Sequence, residues 1–219
     1  MFFGINLKKA KTNSPKLLIL AGLLGILVAL GIILFTFYPV LKAEFFYRFY
    51  RSQTVTVANI SEKINSDDSL VLTPIDQDFS LIIPKLAANA KVIPNVDPQN
   101  AREYQQKLTQ GVAHAKGSAL PGQSGNVFIF AHSAGNFYEA NRYNAIFYLL
   151  SKLEANDPIY LFFQNQKYDY QVVSRKIVNP QEVSYLEKQS DSHTLTLMTC
   201  WPPGTTLKRL IISATETVH

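Results

Sequence analysis

Between Lys16 and Lys42 the chain runs through 25 residues, LLILAGLLGILVALGIILFTFYPVL, without a single charge. As a helix this stretch would be about 37 Å long, enough to cross a hydrocarbon core of about 30 Å with some tilt. Soluble helices seldom run this far without a polar face, so a buried core helix is disfavoured. The stretch also exceeds a signal-peptide core of about 7 to 15 residues, and no small-x-small cleavage site follows it. It reads as a retained anchor over residues 17–41, in contact with membrane lipid. Lys8, Lys9, Lys11 and Lys16 precede it. Phe35, Phe37 and Tyr38 mark its far edge, and Phe45, Phe46, Tyr47, Phe49 and Tyr50 follow. The positive-inside rule and the aromatic belt then agree on a single pass, with residues 1–16 as a cytoplasmic tail and the chain beyond about residue 42 outside.

Charge has to be located before it is interpreted. The net charge is +5, and all of it lies in the first 50 residues, where six cations face only Glu44. The remainder is balanced. A nucleic-acid binder gathers its Lys and Arg on the binding domain to displace counterions, so that class is set aside despite the basic total. With 47% hydrophobic residues and 17% charged, the chain is not disordered.

Residues 42–70 are read as a juxtamembrane stalk or linker, polar and turn-rich after Tyr50, leaving residues 71–219 for one domain. There the pattern turns to short β-rich runs punctuated by Pro, Gly, Asn and Asp: FSLIIP at 79–84, KVIPNV at 91–96, NVFIFA at 126–131, IYLFFQ at 159–164, KYDYQVVSRKIV at 167–178, TLTLMT at 194–199 and LKRLIISA at 207–214. Such spacing predicts a closed or sandwiched β-structure. Pro84 and Pro94 are expected at strand ends or edges, where a missing N–H does little harm. One segment, YNAIFYLLSKLE at 143–154, has helical apolar spacing and is expected to pack on the β-structure.

Cys200 is the chain's only cysteine, so it cannot form an internal disulfide. It ends a β-run and is followed by Trp201, Pro202, Pro203 and Gly204, a position where a thiol is held and reachable. A buried, inert cysteine is the plain alternative. A nucleophilic thiol needs a base or a cation beside it. His193 lies on the same run, about 23 Å away along an extended strand. His219 is terminal. His132 ends its own run as Cys200 does, and His114, expected in a loop between Gly111 and Gly117, is the serious rival. Arg209 follows a Pro-Pro-Gly turn that should fold its strand back beside Cys200. Adjacent Lys208 must point to the opposite face.

Together these residues resemble the sortase family of membrane-anchored cysteine transpeptidases. The family's TLxTC signature is matched by Thr196-Leu197-Met198-Thr199-Cys200, its downstream Arg by Arg209 in KRLIISATE, and its strand-end His by His132 after ALPGQSGNVFIFAH. His114 is similar to the family's non-catalytic histidine. Departures are Ala131, where the family commonly has Gly, a long stretch from Ser133 to Ala145, and a short loop after Cys200.

The resemblance implies an eight-stranded β-barrel with one or two short helices, preceded by the anchor. It implies Cys200, His132 and Arg209 as catalytic residues and Thr199 as a substrate-binding one. The implied reaction cleaves a C-terminal LPxTG-like sorting signal through a thioacyl-enzyme. The protein is then transferred to an amine acceptor, either a peptidoglycan precursor or a pilin lysine. The three catalytic side chains are expected to meet at one mouth of the barrel. No cofactor is expected; a Ca2+ site from Asp76, Asp78, Asp97 and Glu103 is conceivable but has no loop of alternating oxygen ligands behind it. The rival class is a membrane-tethered β-barrel that binds peptide without cutting it.

Overall fold

The computed structural model describes residues 15–50, 55–57, 70–132, 147–182, 184–186 and 192–217. The chain divides into two compact units, Met1–Tyr38 and Pro39–His219. Helix α1 (Pro15–Tyr50) opens on a proline, whose fixed φ suits a first helical turn. Its Pro15–Phe35 portion is long and apolar enough to cross a membrane. Leucines point outward all round it, as in Leu18 and Leu27, each 65% exposed, which suits a lipid solvent rather than water.

Helical structure thus continues past Lys42 into the segment expected to be a stalk. Farther along that segment, β1 (Val55–Val57) pairs in parallel with β2 (Leu70–Leu72). The residues between these two strands lie outside the described ones.

The second unit is built on a closed barrel of eight strands: β3 (Phe79–Ile83), β4 (Ala88–Val96), β5 (Val112–Ala115), β6 (Gly125–Phe130), β7 (Pro158–Phe163), β8 (Gln166–Val178), β9 (His193–Trp201) and β10 (Lys208–Glu216). Around the barrel the order is β10-β8-β7-β3-β4-β5-β6-β9. The β4–β5 and β6–β9 pairs are parallel and the other neighbours antiparallel. Closure removes the exposed edges that an open sheet of these strands would carry.

Local chemistry sets the connections. Gln164 and Asn165 both take positive φ, the condition for the tight two-residue hairpin that joins β7 to β8. The parallel β4–β5 pair needs a crossover, supplied by α2 (Ala101–Leu108). Alternation sends Leu81, Ile129, Leu161, Leu195, Leu197 and Ile212 into the barrel, all fully buried. The segment expected to be helical is described from Phe147; it continues as a 3-10 turn over Leu149–Lys152 and buries Phe147, Leu149, Leu150 and Leu153.

The strand pair β1–β2 was not foreseen in the segment read as a stalk, and within the domain neither β5 nor α2 was. His114 therefore lies in a strand and not in the expected loop. Pro84 opens a 3-10 turn just after β3, but Pro94 sits inside β4. It is accommodated by an irregularity between Ile93 and Val96, where Asn95 takes a φ of 58° and the ladder skips.

Candidate active site

Along β9, Leu195, Leu197 and Thr199 face the barrel interior, so Thr196, Met198 and Cys200 lie on the other face. Directly across the antiparallel β9–β10 pair, Cys200 is opposite Arg209 and Trp201 opposite Lys208. Opposed residues share a face, with Cβ atoms about 5 Å apart. The Arg209 side chain therefore leaves the sheet on the thiol's face and that of Lys208 on the other. Both Cys200 and Arg209 are half-buried. Arg209 Nη1 donates to the carbonyls of Thr206 (3.2 Å) and Lys208 (3.0 Å), so the backbone of the β9–β10 turn fixes its fork.

On the opposite flank of β9, β6 runs parallel with Phe130 paired to Met198. The pairing extends past the strand end: the Ala131 N–H donates to the Met198 carbonyl at 3.2 Å, and Thr199 Oγ1 donates to the Ala131 carbonyl at 3.1 Å. One further step in that register brings His132 to the level of Cys200. The half-buried His132 follows Phe130 by two residues and shares its outward face. The ring of Tyr104, from α2, lies 6.2 Å from each of these two rings.

Three neighbouring chain ends, from β6, β9 and β10, thus bring His132, Cys200 and Arg209 to one level of the strand register. Alternation puts the thiol on the outer wall near the barrel's end and not in its mouth, because the inward positions of β9 are taken by Leu195, Leu197 and Thr199. Thr199 is 2% exposed, and its hydroxyl is spent on Ala131 on the face opposite Cys200.

The rival histidine has a different environment. His114 is buried inside the barrel at 3% exposure, against Phe79. Its Nδ1 accepts from the Asn95 N–H at 3.2 Å, so the proton belongs on Nε2, which faces the Ala119 carbonyl at 2.9 Å and Ser118 Oγ at 2.8 Å. Burial pushes its pKa down, partly offset by the bond to Ala119. His193 opens β9 at the far end from Cys200, with Nδ1 3.1 Å from Glu216 Oε2. His219 lies outside the described residues.

Of the carboxylates considered for Ca2+, Asp76 accepts from Lys91 at 2.6 Å and Asp97 lies 3.9 Å from Lys116. Among the described residues, no three His, Cys, Asp or Glu side chains are grouped to hold a metal ion. Tyr104 was missed in the sequence because α2 was missed. The available signal was the spacing of Tyr104 and Leu108, four apart, in a stretch otherwise polar.

With this geometry in hand, a family model described as the sortase domain matches residues 81–217. Sortase D of Bacillus subtilis (strain 168) is 27% identical over 135 residues, which are 60% of this chain and 60% of that protein, so the match spans less than two thirds of the relative. The fold is similar to the crystal structure of sortase C-1 from Actinomyces oris, with a TM-score of 0.56 and 26% identity over 66% of this chain and 76% of that one. A lid mutant of sortase A from Corynebacterium diphtheriae gives a TM-score of 0.55 and 27% identity over 66% and 72% of the two chains.

Proposed function

This chain belongs to the sortase family of transpeptidases, and from that premise we propose that it cleaves a C-terminal LPxTG-like sorting signal through a thioacyl-enzyme and passes the acyl group to an amine. The observation that carries this reading is the register of Cys200 against Arg209, both half-buried on the same face of the sheet. In the proposed cycle, the Cys200 sulfur, as thiolate, attacks the scissile carbonyl. Arg209, always charged and forked, stabilises the oxyanion and orients the signal peptide. The C–N bond breaks as protonated His132 gives its proton to the leaving amine. An acceptor amine then attacks the thioester carbonyl, His132 takes its proton, and the sulfur departs. Thr199 contributes by fixing Ala131, and with it the chain that delivers His132.

The acceptor in this proposal is a peptidoglycan precursor or a pilin lysine. Membrane association follows from the family and from the apolar part of α1; the cytoplasmic placement of the N-terminus rests on Lys8, Lys9, Lys11 and Lys16. The test uses the full chain in detergent micelles with a panel of sorting-signal peptides, read by mass spectrometry. An acyl adduct on Cys200 that disappears in Cys200→Ala supports the reading. Peptide binding with no adduct on the wild-type chain would leave only a tethered binding module.

A further inference from the structure

The outer wall that carries Cys200 also carries an aromatic side chain with no part in the proposed cycle. Helix α2 is started by Asn100, whose side chain accepts from the Glu103 N–H at 3.2 Å, capping the first turn. Leu108, at 2% exposure, pins the other end, and Tyr104, one turn earlier on the same stripe, is turned to the barrel with it. Its ring meets Phe130 edge-on, with centroids 6.2 Å apart and planes at 78°. It meets His132 at the same 6.2 Å with planes at 57°. Both separations lie within the range of about 4.5 to 7 Å over which such rings attract. Phe130 is 7% exposed and cannot yield, so it fixes Tyr104, and Tyr104 in turn limits where the imidazole can go.

We propose that Tyr104 is a positioning residue for His132: its ring, braced on Phe130, holds the imidazole in the rotamer that serves the thiol. This role rests on the reading of His132 as the proton carrier. The backbone before His132 is fixed by the Ala131 and Thr199 bonds, but those leave its χ angles undetermined. The Tyr104 ring, 6.2 Å from the imidazole, contributes a constraint on them, and it does so by shape, so a phenyl ring serves as well as a phenol.

The experiment compares Tyr104→Phe and Tyr104→Leu in the full chain in detergent, using a fluorogenic LPxTG-type peptide, circular dichroism melts, and 1H–13C spectra of labelled histidine. Tyr104→Leu should lower kcat by about tenfold or more with KM nearly unchanged, as expected when a reacting group is misplaced by about 1 Å. Tyr104→Phe should restore it. The His132 ring resonances, identified by their loss in His132→Ala, should move in the Leu variant and stay in the Phe variant. An unchanged kcat in Tyr104→Leu, a change in KM alone, or unmoved His132 resonances overturns the inference. Should Tyr104→Leu fail to fold, Tyr104→Met carries the same comparison. Activity retained in His132→Ala removes the underlying reading; activity lost there but kept in Tyr104→Leu removes only the role of Tyr104.

Discussion

Arg209 stands directly opposite Cys200 across the β9–β10 pair, and its guanidinium is anchored by the carbonyls of Thr206 and Lys208. A planar fork held this way is not interchangeable with a flexible ammonium. Arg209→Lys should therefore lower kcat/KM for a sorting peptide by about a hundredfold, close to the effect of Arg209→Ala, because losing one aimed oxyanion donor costs about 10² to 10³. Near wild-type rates in Arg209→Lys would show that charge alone suffices and that the fork is idle.

Thr199 tests the coupling of β9 to the chain that delivers His132. Its hydroxyl donates to Ala131, and both residues are buried, so Thr199→Val strands a carbonyl at a cost of about 1 to 3 kcal/mol. Thr199→Ser keeps the donor and should lose less. Urea unfolding followed by Trp201, the only tryptophan, measures the order. Turnover should fall with Val and recover with Ser; equal turnover in both would remove the link between this bond and His132.

The strands that could be read from the sequence are those whose own residues carry the signal, a continuous apolar run in NVFIFA and an alternation in TLTLMT. The antiparallel return of β10 beside β9 was legible too, because Pro202, Pro203 and Gly204 leave few other paths. β5 was not. Its four residues, VAHA, include two alanines with little strand preference, and they are extended because β4 and β6 pair with them. α2 has only Tyr104 and Leu108 as an apolar stripe. The bond from Thr199 to Ala131 joins residues 68 apart through a parallel pairing that no local pattern announces. Hence the outward facing of Cys200 followed only once the interior positions of β9 had been identified.

His114 should stay neutral where an ordinary imidazole charges. Burial lowers its pKa below the usual value near about 6.5. The unfolded chain then takes up a proton first as pH falls, so His114 favours the folded state above that value and loses this contribution as pH drops through its lowered folded value. In 15N spectra followed as the pH is lowered, His114 should keep the Nε2–H neutral tautomer to a lower pH than a free imidazole does. Protonation at or above the pH of a free imidazole would contradict the burial of this ring and the hydrogen bond from Asn95.

Asp76 gives an acid-side counterpart. The hydrogen bond from Lys91 lowers its pKa, against an opposing push from partial burial. A lowered carboxylate stabilises the fold above its unfolded value of about 4, and the contribution disappears as pH falls through the folded value. Asp76→Asn should cost about 1 kcal/mol or less at pH 7, since Lys91 is half exposed, and the deficit should close as the pH is lowered well below 4. Urea midpoints at the two pH values decide it; a deficit that persists in acid would mean the carboxylate charge is not the cause.

Gly111 marks where the parallel β4–β5 pairing begins, one residue before Val112 meets Val92. A methyl group added there would collide with the Lys91 carbonyl oxygen and stand 3.2 Å from the carbonyl carbon. The obstacle is backbone, not the end of a mobile side chain, so relief requires β5 to move away from β4. Gly111→Ala should therefore destabilise the barrel by about 1 to 3 kcal/mol, the usual cost of overpacking. Because Ala113 of β5 pairs with Phe130 of β6, the displacement is passed toward His132, and turnover should fall along with the urea midpoint. An unchanged midpoint would mean that β4 and β5 part without cost and that this pair does not hold β6 in place.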